Sequence, residues 1–151
     1  MGYTMTADEF LKQIERYDRL IDCKLSELFR YKNLVTSVTV PTDREAVQTS
    51  GVSDKVGNIV AKIIDLEDEI DTIIDEYIYT RKRCIAVIEM LKDNPIQYTI
   101  IHKHYVQYKT YAEIAEEESY SYDGIIKAKN RALVRVDAIL RKNNRKIQNC
   151  L

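Results

Sequence analysis

Apolar residues recur every three to four positions over several stretches of this chain, and the spacing predicts a protein made of helices alone. In the first stretch Ile14, Tyr17, Ile21, Leu28, Tyr31 and Val35 keep the period, broken at Lys24 and widened by Phe10, Leu20, Leu25 and Leu34. One helix from about Thr6 to Lys32 follows. The second stretch is more regular: Val56, Val60, Ile63, Ile70, Ile74, Tyr77, Cys84, Ile88 and Leu91 share a register from Ser53 to Lys92, with Ile59, Leu66, Ile73 and Val87 in a parallel row. A face that wide favours packing against more than one helix. At about 1.5 Å per residue such a helix is a rod of about 60 Å, so the first helix folds back along it, a second chain does, or both. Residues 1–93 are therefore expected to form a helical hairpin arm, coiled-coil-like, with homodimerisation through its helices. Between the helices "NLVTSVTVPTDREAVQTSGVSDKVG" carries Pro41, Gly51 and no helical period, which predicts a loop over 33–53; long loops often serve as contact surfaces.

The pattern then shortens. Asn94-Pro95 closes the second helix and opens a third, because Asn caps well and Pro is tolerated in a first turn. Ile96, Ile100, Ile101, His104, Tyr105 and Tyr108 form its apolar side. Thr110-Tyr111-Ala112-Glu113 reads as a capping box, starting a brief helix with Ile114 and Ala115 inward. Ser121 supplies another N-cap, and the last helix is expected to run to about Lys142 with Ile125, Ala128, Ala132, Val136 and Ile139 on one face, followed by a basic tail over 143–151. A helix-turn-helix needs a small residue where its helices cross, a tight turn four residues later and a β-branched residue six beyond that. Ala115, Ser119 and Ile125 occupy those places, with Ser119 where glycine is usual and Glu118 where an apolar residue is commoner. Residues 94–142 are accordingly expected to be a helix-turn-helix DNA-binding domain.

Charge sharpens this reading. Residues 1–93 hold 13 Lys or Arg against 18 Asp or Glu, whereas 94–151 hold 10 against 6. The C-terminal part is the one suited to approach a polyanion. No apolar run nears the roughly 18 residues of a membrane span, and "MGYTMTADEF" lacks a signal peptide's layout, so a cytoplasmic protein is expected. Cys23, Cys84 and Cys150 are far apart without Cys-x-x-Cys spacing, and His102 with His104 reads as a helix face, so no metal or cofactor is expected. A Gly-rich phosphate loop and a nucleophile-base pair are both lacking, which argues against an enzyme.

The segment from about Ile100 to Leu140, with "HKHY", "YAEIA", "YS" and "NRAL", resembles region 4 of bacterial sigma-70-type factors, the module that reads the promoter −35 element. The whole-chain plan is similar to ArpU-like or RinA-like late transcriptional regulators of phages and prophages of Gram-positive bacteria. The resemblance implies double-stranded DNA as partner, host RNA polymerase as a second, and control of transcription in the host cytoplasm. Carried over by position, it puts base-reading side chains at Tyr122, Asp123 and Lys127 and sets Arg131 against phosphate. Ile126 and Asn130 beside them are expected at the same interface, Ile126 against a methyl group or packed against a partner protein. Lys109 and Arg135 are weaker phosphate contacts, with Lys103, Arg141 and Lys142 in reserve. The chemistry agrees: Lys127 suits guanine, Asp123 suits cytosine, and Tyr122 or Ile126 suits a thymine methyl. Two other readings stand beside it. A small terminase-like packaging component also joins a helix-turn-helix to oligomerising helices, and an interaction protein could use the same module to bind polymerase or a regulator without DNA.

Overall fold

The computed structural model describes residues 5–39 and 50–149. Among these the chain forms five α-helices and no strand: α1 (Ala7–Thr39), α2 (Ser50–Glu89), α3 (Pro95–Tyr105), α4 (Tyr111–Glu117) and α5 (Tyr122–Asn149). The fold is all-α, with two long helices first. No described helix is long and apolar enough to cross a membrane.

Helix ends differ from the sequence expectation in the same direction twice. Residues 33–39 and 50–53 of the expected loop are helical. Val35, Thr36 and Val38 disfavour a helix by only a few tenths of a kcal/mol each, and the hydroxyls of Thr36 and Ser37 donate back to the carbonyls of Lys32 and Leu34 at 3.1 and 2.9 Å. Their polar groups are thus absorbed by the helix. Gly51 lies in the first turn of α2, where glycine costs less than it does in a helix interior. The remainder of the expected loop, with Pro41, lies outside the described residues. At the other end α5 continues through most of the expected tail, to Asn149, because nothing after Lys142 breaks a helix: no Pro or Gly follows it.

The chain divides into two compact units. One comprises residues 17–77. Here α1 and α2 bury Leu28, Leu66 and Ile70, flanked by Tyr31, Ile63 and Ile74. Lys24 meets Glu69 at 2.9 Å and Lys32 meets Glu67 at 2.8 Å across the same pair of helices, and the rings of Tyr17 and Tyr77 lie 6.3 Å apart. Exposed pairs of this kind contribute about 0–1 kcal/mol each, so burial of the apolar seam stabilises the unit more than its charges do.

The other unit joins the described residues up to Arg16 with those from Ile78 onward. The periodicity alone assigned the ends of both long helices to the arm; they are instead part of the unit that holds α3, α4 and α5. Phe10, Leu11 and Ile14 of α1 are buried, as are Val87 and Ile88 at the end of α2 and Leu91 just after it. Polar ties accompany this burial. Asp137 of α5 accepts from the backbone N–H of Ala7 at 2.8 Å, so a carboxylate from a distant helix caps the start of α1. Tyr105 Oη donates to Asp8 Oδ1 at 2.6 Å, and burial with that carboxylate pushes the Tyr105 hydroxyl pKa up. Cys84 Sγ donates to the Phe10 carbonyl at 3.4 Å, and burial raises its thiol to about 11. It is an inert core thiol.

Candidate nucleic-acid interface

Helices α3, α4 and α5 all touch one another, and each is started by the cap its sequence supplies. Asn94 accepts from the Gln97 N–H at 3.3 Å with Pro95 in the first turn of α3. Thr110 and Glu113 close a reciprocal box at α4: Glu113 N–H donates to Thr110 Oγ1 at 3.2 Å and Thr110 N–H to Glu113 Oε2 at 2.8 Å. Ser121 Oγ accepts from the Gly124 N–H at 3.1 Å and starts α5. A Cβ at position 124 would lie 3.0 Å from that same Oγ, so Gly124 leaves room for the cap. Ile100, Ile114, Ala115 and Ile125 form the apolar centre, with Ile96, Tyr111 and Ala128 around it.

The connection between α4 and α5 turns through a left-handed residue: Ser119 has φ 56°. It is exposed, and its side chain has no role in the cap that follows. Glycine there relieves the left-handed strain of about 1–2 kcal/mol but adds backbone entropy to the unfolded chain. Ser119→Gly is therefore expected to stabilise the protein by roughly 0.5–1 kcal/mol, read as a raised midpoint in urea unfolding; a lowered midpoint would mean that the serine is needed in place. Tyr108 also has φ 59°, which the sequence did not signal.

Five of the six DNA-facing side chains expected from the sequence are exposed: Tyr122, Asp123, Lys127, Asn130 and Arg131; Ile126 is half-buried. Asp123, Lys127 and Arg131 are four residues apart and so lie in one row, with Tyr122, Ile126 and Asn130 in the next. Ile125, Ala132 and Val136, fully buried, face the other way. Lys127 and Arg131 make no ion pair with any described residue. The expected phosphate contacts behave differently. Arg135 donates to Gln97 Oε1 at 2.8 Å and to Asp93 Oδ1 at 2.7 Å, which holds the Asp93 carboxyl below its usual range. Lys109 is paired with Glu117, and Lys103 lies 2.6 Å from both Glu117 and Glu118. The side chains of Lys103 and Lys109 together hold the Glu117 carboxyl below the usual carboxylate range.

The acidic run Glu113–Glu118 thus has a local purpose in each member but Glu116, which stays exposed. Glu113 caps, and Glu117 and Glu118 tie α4 to the lysines at the end of α3 and just after it. His104 Nδ1 donates to the Lys109 carbonyl at 2.7 Å, since a carbonyl only accepts, and its ring stacks on Tyr111 at 4.0 Å. Lys129 sits 5.2 Å over the other aromatic partner of that stack, Tyr111, a cation–π contact that keeps it by the core. Sequence reasoning missed the lysine–glutamate clamp and the Asp137 cap; for Asp137 a signal was present, as a lone acid between Arg135 and Arg141. Comparison with protein-family models, curated proteins and solved structures returned no match.

Proposed function

We propose that this protein binds double-stranded DNA sequence-specifically and regulates transcription, as a phage- or prophage-type regulator acting with host RNA polymerase in the bacterial cytoplasm. In this reading α4, the turn at Ser119 and α5 are a helix-turn-helix, and the first turns of α5 enter the major groove. One observation supports it most. Tyr122, Asp123, Lys127, Asn130 and Arg131 stand exposed on the first turns of a capped helix, whereas Lys103, Lys109 and Arg135 nearby are held by carboxylates. Cations left unpaired on one row are available to phosphate and base edges. Fluorescence anisotropy with random and selected duplexes over a range of salt tests it: saturable binding that weakens with salt is expected. No binding at low salt would move the protein to the class that contacts polymerase or a regulator without DNA.

The clamp on Glu117 makes a second expectation. Glu117→Gln removes the partner of Lys109 and one of two partners of Lys103, so random-duplex affinity should rise and the salt slope steepen by about one unit. Glu116→Gln alters net charge equally without freeing a lysine, and is the control. Equal behaviour of the two variants in salt titrations would show that the clamped lysines do not reach phosphate.

The packaging reading has its own support in the unit of residues 17–77, where Phe29 is 67% and Ile64 53% exposed. Apolar side chains left open on two helices suit self-association. Mass in solution separates the two: a ring of many chains favours packaging, and a monomer or dimer favours transcription.

A further inference from the structure

A groove of about 480 Å³ lies between the end of α2 and the C-terminal half of α5. Met90, Ala138 and Ile139 supply its apolar lining, and Arg135, Lys142 and Lys146 its cations. Met90 is 57% exposed despite its place in this apolar lining. Arg135 is tied to Asp93, but Lys142 and Lys146 have no ion pair with any described residue. The groove is also displaced from the base-reading row. Lys142 is fifteen residues beyond Lys127, about 22 Å along the helix, and the cations of the groove are turned about a quarter of the circumference away from Lys127.

We propose that this groove is a docking site for an acidic amphipathic helix of a partner protein, which would seat apolar side chains on Met90, Ala138 and Ile139 and set carboxylates against Lys142 and Lys146. Charge complementarity selects the occupant. The cations left unpaired at the rim call for an anionic ligand, and the apolar lining calls for side chains that a phosphodiester backbone does not have. Short helices docked in grooves use apolar anchors spaced i, i+3, i+4 and i+7, and flanking charges on such a helix set orientation and approach rate. This inference stands independently of the DNA reading, because it uses neither Lys127 nor Arg131. With that reading it makes the long α5 a bridge, with DNA at one end and a protein segment at the other.

The probe is a fluorescein-labelled synthetic helix with leucines at i, i+3, i+4 and i+7 and glutamates on both flanks, compared by anisotropy with a twin in which every glutamate is glutamine. The full chain should bind the glutamate helix saturably and the glutamine twin much less. Met90→Glu, at an exposed position, places a carboxylate in the groove and should weaken binding about tenfold. Lys142→Glu with Lys146→Glu should weaken binding at least tenfold, as both rim cations become charges that repel the flanking glutamates. Circular dichroism of each variant checks that the helices persist, and Met90→Glu should leave duplex binding unchanged. Equal binding of both peptides, no binding of either, or an unaffected Met90→Glu variant overturns the proposal. If random duplex displaces the peptide and Met90→Glu weakens both, the groove belongs to nucleic acid instead.

Discussion

Ile125→Ala is expected to destabilise the protein by about 2–5 kcal/mol, the range for deleting a buried branched side chain from a packed site. Ile125 is fully buried and belongs to the cluster with Ile100, Ile114 and Ala115, so it joins three helices at once. Its backbone N–H also bonds the Ser121 carbonyl at 3.0 Å, in the first turn of α5, where the side chains proposed to read bases are carried. Urea unfolding followed by far-UV circular dichroism measures the loss. Val134→Ala on the same helix, where the side chain is 68% exposed, should change stability by no more than about 0.5 kcal/mol. Similar midpoints for the two variants would mean that α5 is not seated on this cluster.

The second large effect separates reading from attraction. Lys127→Ala should lose about 1–3 kcal/mol at the preferred duplex and little on random sequence, as expected for a side chain that donates to base edges. Arg131→Ala, one turn further along, should weaken all duplexes alike and lower the salt slope by about one unit, as expected for a phosphate contact. Both side chains are exposed, so neither change should disturb the fold, and any loss of affinity reports on the interface. A selected-site binding assay on parent and variants across several salt concentrations makes the comparison. Equal loss by Lys127→Ala on specific and random duplexes would remove α5 from the role of reader, even if the protein binds DNA.

Acid should weaken the pairing of Glu117 with Lys103 and Lys109. Glu117 has a carboxyl pKa held below its ordinary 4.5 by the side chains of Lys103 and Lys109. A depressed folded value means that the stabilisation is present above the ordinary value and is lost as pH falls through the folded one. Titration of the Glu117 side chain by NMR should therefore show a midpoint below 4.5, moving up toward it in Lys103→Met; an unmoved midpoint would place the cause elsewhere.

The all-helical class, the order of five helices and the starts of α3, α4 and α5 were determined by the sequence itself. Their causes are local: a 3.6-residue apolar period, and caps at Asn94, Thr110 and Ser121 that act within three residues of themselves. The left-handed turn at Ser119 was legible for the same reason, from its distance to Ala115 and Ile125. Helix ends were not, since 33–39 and 143–149 contain no breaker, only residues of middling propensity, and small per-residue terms do not mark a boundary. Tertiary structure alone decided which charges are available. Lys103, Lys109, Arg131 and Arg135 look alike along the chain, yet three meet carboxylates brought to them by folding and Arg131 meets none among the described residues. It also decided that the start of α1 and the end of α2 belong to the unit of α3, α4 and α5, with α1 tied to α5 through Asp137 at Ala7 and to α3 through Asp8 at Tyr105. Those pairs are separated by 130 and 97 residues, and at such distances in sequence only the packing of the apolar faces determines which polar groups meet.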